Sequence, residues 1–236
     1  MPTAQYILAI NPGSTSTRLA LYRNGEPVEL CYLANIQHST DELAQFANIS
    51  DQYDYRLRAV ESFLERHGEP NLAVVVGRGG LLKPIPSGTY LVDDAMVADL
   101  QQGVQGEHAS NLGGLLARGI ADPRQVPAFI VDPVSVDEFT PLARLSGLPQ
   151  IPRRSLGHAL NIRAVARRVA ASMGKGLAET NFVVAHLGGG ISIAPVQQGR
   201  ILDYNDANQA GPFSPERAGS LPVGDVVTPS SSPTPK

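Results

Sequence analysis

Two short segments hold residue types suited to gripping phosphate: Asn11-Pro12-Gly13-Ser14-Thr15-Ser16 and Gly188-Gly189-Gly190. A tight turn of such residues between antiparallel strands directs several backbone N–H groups to one place, and such a nest binds an anion without any cationic side chain. Two nests imply a polyphosphate. The first adds the hydroxyls of Ser14, Thr15 and Ser16, the amide of Asn11, and the guanidinium of Arg18. A serine-rich hairpin loop with Arg18 on a solvated strand face is the plain alternative. Neither segment contains G-x-x-x-x-G-K-[ST] or G-x-G-x-x-G, so a nucleotide would be held by neither the P-loop nor the Rossmann solution.

Further candidates lie at the ends of apolar runs. Leu72 to Val76 leads into Gly77-Arg78-Gly79-Gly80, where the glycines impose no bulk and are expected to let a ligand approach the backbone beside Arg78. Ala128 to Val131 ends in Asp132-Pro133, a carboxylate where ligands of open α/β sheets bind, or else an ordinary Asp-Pro turn initiator. His186 closes the strand before the Gly triplet, and His158 precedes an amphipathic helix. Core packing is the plain alternative for the first histidine, and capping or packing for the second. Arg217 lies in Gly211 to Gly219, too rich in turn formers to be helix or strand. Cations, donors and a carboxylate set around two phosphate nests are what phosphoryl transfer requires, because its transition state spreads charge over equatorial oxygens. An arginine so placed contributes roughly 10³ to 10⁵ in rate in well-studied cases.

The elements that must position these groups follow from periodicity. Tyr6 to Ile10 and Thr17 to Tyr22 are expected as strands, with Asn24-Gly25 turning the chain into a third, Val28 to Leu33. The plan recurs at Phe182 to Leu187, Ile191 to Val196 and Arg200 to Tyr204, with Gln198-Gly199 as the turn. Between the copies lie two helical stripes expected to face the core. One is Leu57, Val60, Phe63 and Leu64; the other is Ile162, Val165, Ala166, Val169 and Met173, closed by Gly174. With the strands Leu72 to Val76 and Ala128 to Val131, the alternation predicts an α/β protein of two similar halves with mixed sheets.

Composition narrows the partners. The 236 residues are 42% hydrophobic and 17% charged, enough for a core that buries about 70% of the unfolded surface. A net charge of -3 gives no footprint for nucleic acid or for an anionic membrane. The run from Tyr6 to Ile10 is far short of a membrane span or a secretion signal. The single cysteine, Cys31, forms no internal disulfide, which fits a reducing, cytoplasmic setting; Asn48-Ile49-Ser50 then reads as a chance sequon. Thr228 to Lys236 has no apolar side chain and is expected to be a disordered tail.

The segments INPGSTST (10 to 17), VGRGGLLKPIPSGTY (76 to 90), HASNLG (108 to 113), AFIVDPV (128 to 134), RSLGHALN (154 to 161), VAHLGGGIS (184 to 192) and GPFSPERAGSLPVGD (211 to 225) resemble butyrate kinases. That family is grouped with acetate kinases, sugar kinases, heat-shock chaperone ATPases and actin. The resemblance implies two ribonuclease H-like, actin-like halves and transfer of the ATP γ-phosphoryl group to a short-chain fatty acid, with Mg2+. By similarity, Asn11 helps hold the metal, Ser14, Ser16 and Arg18 line the first phosphate loop, and Gly188, Gly189 and Gly190 form the second. Arg78 would grip the substrate carboxylate and Asp132 would sit beside the metal, while His158, His186 and Arg217 would stabilise the transferring group.

Gly189 stands where acetate kinases have asparagine, and GRGGLLKPIPSGTY is not their form around the arginine. Both differences favour the butyrate branch, with butyrate or isobutyrate as acceptor. Arg78 speaks against a neutral sugar. The resemblance implies domains at 1–153 and 154–227, the second incomplete, because family members continue past the equivalent of Asp225 through an adenosine-binding region. The expectation is therefore a truncated product with little or no kinase activity alone, keeping at most phosphate binding, and a homo-oligomer when full length.

Overall fold

The computed structural model describes residues 4–24 and 28–227. The expected turn at Asn24-Gly25 falls partly, and the expected tail from Thr228 wholly, outside the described residues. The chain forms two compact units that divide between Val136 and Asp137.

The first unit is built on a six-stranded mixed sheet. Its strands are β1 (Tyr6–Pro12), β2 (Ser16–Arg23), β3 (Glu29–Gln37), β4 (Leu72–Arg78), β5 (Thr89–Leu91) and β6 (Ala128–Val131), in the order β3-β2-β1-β4-β6-β5. β1, β4 and β6 run parallel to their neighbours in this set, so their C-terminal ends lie along one sheet edge. Helices α1 (Thr40–Leu43), α2 (Tyr53–Arg66), α3 (Asp94–Gln102) and α4 (Asn111–Ala121) connect them. Leu8 and Ile10 of β1 and Leu19 and Leu21 of β2 alternate onto one face, where they join Val60, Phe63 and Leu64 of α2 and Leu112, Leu116 and Ile120 of α4 in the core.

α4 was not legible in the residue pattern. Leu112 to Ala117 are all buried, so the polar side is narrow, marked by Arg118 seven residues after Asn111, and Gly113-Gly114 lowers the intrinsic propensity of the helix. Those glycines have a packing reason. A Cβ on Gly77 would lie 2.0 Å from the Gly113 carbonyl oxygen, and one on Gly113 would lie 2.1 Å from that of Arg78. The helix therefore rests backbone to backbone on β4. Gly80 meets Asn111 in the same way and Gly79 meets Pro133. The glycines flanking Arg78 thus admit a helix and a proline, and the expected reason, close approach of a ligand, is corrected.

In the second unit, α5 (Ala159–Ser172) packs on a three-stranded antiparallel sheet of β7 (Asn181–Leu187), β8 (Ile191–Gln197) and β9 (Arg200–Ile201), in that order, and α6 is Val223–Val227. The β7-β8-β9 plan repeats β1-β2-β3, as expected, with Gln198 and Gly199 both at positive φ in the turn. Two expectations are corrected. The buried line of α5 runs through Ala159, Ile162, Ala166 and Ala170, whose small side chains let the helix lie close to the sheet, while Val165, Val169 and Met173 are exposed. The third strand stops at Ile201 because Asp203 turns to an ion pair with Arg153 at 2.7 Å and Tyr204 is buried against Phe139. Residues 137–153 bond within this unit, Thr140 N–H donating to the Leu202 carbonyl at 3.2 Å. β7 lies at the sheet edge, and its outer face carries Val183 (76% exposed) and Leu187 (74%) beside Pro195 and Ile191 of β8. Among the described residues, no helix is long and apolar enough to cross a membrane.

Candidate functional site

The candidates of the first unit gather at the C-terminal edge of its parallel strands. Asn11 ends β1, Arg78 ends β4, and Asp132 follows β6. Asn11 pairs with Arg18 of β2, and Ile10 is level with Gly77 of β4. Side chains level across a ladder share a face, so Arg18, Asn11 and Arg78 form one row on the face opposite Leu8 and Ile10. Arg78 Nη1 donates to Asn11 Oδ1 at 3.4 Å. Beside the row, the Ser14-Thr15 turn is closed by Gly13 N–H donating to the Ser16 carbonyl at 2.7 Å, with Ser14 and Thr15 exposed.

Asp132 is 4% exposed and sits at φ 39°, a left-handed conformation that costs free energy for a residue with a side chain. Its Oδ1 accepts from Gly88 N–H at 2.8 Å, and its own N–H donates to the Gly88 carbonyl at 2.9 Å. The carboxylate therefore anchors the Ser87-Gly88-Thr89 turn as well as standing at the strand end.

In the second unit, Gly188 N–H donates to the Gly190 carbonyl at 3.2 Å, folding the triplet tightly. The His158 and His186 rings stack at 3.8 Å and 8°. His158 Nδ1 bonds Ser192 Oγ at 3.0 Å, and Asn161 Nδ2 donates to His186 Nδ1 at 2.8 Å. A Cβ on Gly190 would lie 2.1 Å from Arg217 Nη1 and 3.3 Å from His158 Cε1, so the histidine and the arginine close on this glycine. The 211–220 loop brings Arg217 there: Ser220 N–H donates to the Gly211 carbonyl, and Ser214 Oγ donates to the Gly189 carbonyl. The same loop places the Glu216 carboxylate 2.6 Å from a Cβ on Gly189. Glu216 was not foreseen, although it sits next to Arg217 in the sequence.

The other residue missed is Arg56 of α2, fully buried beneath the serine loop. A signal for it existed: Gln52 and Arg56 precede Val60 by two turns and one turn, so the apolar stripe runs backwards into a polar pair.

Among the described residues no group of three His, Cys, Asp or Glu side chains is poised to hold a metal ion. Mg2+ needs no such cage, since it keeps several waters and binds largely through substrate phosphates. Asn11 Oδ1, with a second lone pair beyond its bond to Arg78, fits one contact of that kind.

No protein-family model matches the chain. It is 49% identical over 223 residues to the probable butyrate kinase 2 of Caldanaerobacter subterraneus subsp. tengcongensis, covering 94% of this chain and 62% of that protein. It is 53% identical over 219 residues to the probable butyrate kinase of Enterococcus faecalis, covering 92% and 60%. Among solved structures, Porphyromonas gingivalis acetate kinase matches with a TM-score of 0.67 at 17% identity, over 94% of this chain and 63% of that one. Entamoeba histolytica acetate kinase matches at 0.65 and 16%, over 94% and 61%. The fold is accordingly the mixed α/β, actin-like fold of the acetate kinases. The chain is homologous over nearly all of its length to the probable butyrate kinases, and it spans about three fifths of theirs.

Proposed function

We propose that these residues serve the transfer of the ATP γ-phosphoryl group to the carboxylate of butyrate or isobutyrate, giving an acyl phosphate and ADP. The observation that carries the reading is the row of Arg18, Asn11 and Arg78 on one open sheet face beside the serine loop. A guanidinium at the end of β4 suits a planar carboxylate, which it can grip through two parallel N–H donors. The acceptor is already ionised near neutrality, so no general base is needed. A carboxylate oxygen forms the new bond to the γ-phosphorus as the bond to the bridging oxygen breaks and ADP leaves with the electron pair. The task of the protein is to offset the repulsion of two anions, a role we assign to Arg18, Arg78, Arg217, His158 and His186. Mg2+, held by Asn11 with water and phosphate oxygens, would supply further charge neutralisation. Asp132, at the end of β6, would sit beside that metal. A cytoplasmic setting and a homo-oligomer at the relatives' length complete the proposal.

The test is hydroxylamine trapping of the acyl phosphate with ATP, Mg2+ and butyrate, run beside the Enterococcus faecalis relative. Butyryl hydroxamate supports the reading; phosphorylation of a sugar instead of the acid refutes it. A second reading, oligophosphate binding without transfer, is favoured by Glu216, whose carboxylate sits against Gly189 and opposes an anion in the second loop. Calorimetric binding of Mg-ATP without hydroxamate would select it.

A further inference from the structure

We propose that Arg56 is the positioning residue that makes the Ser14–Ser16 loop an oligophosphate-binding loop, by tying its carbonyls down from the core side and leaving its own positive charge without a carboxylate partner among the described residues. This rests on the phosphate reading of the same loop given above. Arg56 is 0% exposed. Nε and Nη2 donate to Gln52 Oε1 at 3.1 and 2.9 Å, Nη2 also to the Ser14 carbonyl at 3.2 Å, and Nη1 to the Ser16 carbonyl at 3.1 Å and Thr17 Oγ1 at 3.0 Å. Every one of these acceptors is neutral. Burial lowers the Arg56 pKa, yet a guanidinium remains charged at neutral pH. A buried charge with no counter-charge is among the costliest arrangements a fold can keep. Here it lies directly beneath the loop that faces solvent.

The hydrogen bonds also orient the loop. Arg56 holds the Ser14 carbonyl, and His38 N–H holds the Thr15 carbonyl at 2.9 Å. In a planar trans peptide the N–H lies on the side opposite the C=O. The N–H groups of Thr15 and Ser16 are thereby turned away from Arg56 and His38.

The side chains around Arg56 explain how the charge is kept uncompensated. Thr17 Oγ1 bonds His38 Nε2 at 2.8 Å, His38 Nδ1 bonds Tyr55 Oη at 3.1 Å, and Tyr55 donates to Glu42 Oε2 at 2.9 Å. Because Tyr55 spends its proton on Glu42, His38 donates from Nδ1; burial and the Arg56 guanidinium disfavour the imidazolium, so Nε2 accepts from Thr17, which accepts from Arg56. Every bond runs one way, and His38 is held neutral. Among the described residues, this chain of bonds meets a carboxylate at its far, exposed end, at Glu42 of α1.

The test uses calorimetric binding of inorganic tripolyphosphate to the whole chain and to three variants. Gln52→Glu keeps the acceptor for Nε and Nη2 but adds a negative charge beside the guanidinium. A purely structural Arg56 would leave affinity unchanged or improve it, whereas the proposal expects affinity about tenfold weaker, from a unit charge acting across the loop at an effective dielectric of about 20. Arg56→Met should weaken binding at least as much, with circular dichroism verifying its fold; should it not fold, Gln52→Glu alone decides. Arg58→Ala, an exposed arginine on the same helix, should change affinity less than about twofold. Folded Gln52→Glu protein binding as tightly as wild type, or an equal loss in Arg58→Ala, overturns the role of Arg56 while the phosphate reading stands. Wild-type protein that does not bind tripolyphosphate overturns both.

Discussion

The contact between α4 and β4 gives the sharpest test of how this fold holds Arg78. In Gly113→Ala the new Cβ would lie 2.1 Å from the Arg78 carbonyl oxygen and 2.9 Å from its nitrogen. Both are backbone atoms, so no rotamer change relieves the clash, and the helix must lift by about 1 Å to reach ordinary contact near 3.4 Å. A gap of that size forfeits a quarter to a half of each dispersion contact along the interface. Leu112, Leu116 and Ile120 are each at most 1% exposed and lie on α4, so the loss extends along the helix. Overpacking of this kind costs about 1 to 3 kcal/mol, with the upper end expected against backbone, and the gain in helix propensity from Gly to Ala returns about 1 kcal/mol. The net expectation is a loss of about 2 kcal/mol, or a melting temperature lower by roughly 4 to 8 °C. Scanning calorimetry and urea denaturation would measure it beside Gly147→Ala, where nothing lies within 4 Å and the change should stay within about 0.5 kcal/mol. A Gly113→Ala protein as stable as wild type would refute the claim that this glycine exists for backbone contact.

The neutral His38 makes stability depend on pH. Burial first, and the Arg56 guanidinium second, hold its imidazole below the ordinary value of 6.5. The unfolded chain therefore binds the proton more readily, so this contribution is complete above about pH 6.5 and is lost as pH falls toward the depressed folded value, at no more than about 1.4 kcal/mol per pH unit. Urea titrations from pH 7.5 to 5 should show that slope, and His38→Gln should remove it; an unchanged slope would contradict the directed hydrogen-bond chain. Asp132→Asn keeps an acceptor for Gly88 N–H and tolerates positive φ, so stability should move by less than about 0.5 kcal/mol, while Asp132→Ala should lose about 1 to 2 kcal/mol. Hydroxamate formation in the relative should fall in both equivalent variants, and full turnover in the Asn variant would reduce Asp132 to a turn anchor. Arg78→Ala should weaken butyrate binding more than about tenfold and leave Mg-ATP within about threefold; the reverse pattern would move Arg78 to the phosphate.

The strand-loop-strand repeat was legible because β1, β2, β7 and β8 are apolar runs interrupted by turn formers, and the turn at Gln198-Gly199 announced itself by residue type. The candidates at strand ends followed from those elements. α4 stayed hidden because its glycine pair lowers helix propensity and its polar side is narrow, and the glycines around Arg78 were misassigned because the partner of Gly77 and Gly80 was that unseen helix. On α5, valines outweighed alanines in the hydrophobic reading, although close approach to the sheet selected the alanines. Arg56 was overlooked for a related reason: a charged residue on a buried helix face breaks the stripe that marks the face, and only the loop above it explains the break.

The outward side of β7 and β8 bears on every titration proposed above. Val183 and Leu187, with Pro195 and Ile191 level with them, leave an oily band facing solvent at a strand edge, the kind of surface through which molecules adhere to one another. At the protein loadings calorimetry needs, heats of self-adhesion add to heats of ligand uptake. True affinities for anion and acid are those that persist on tenfold dilution.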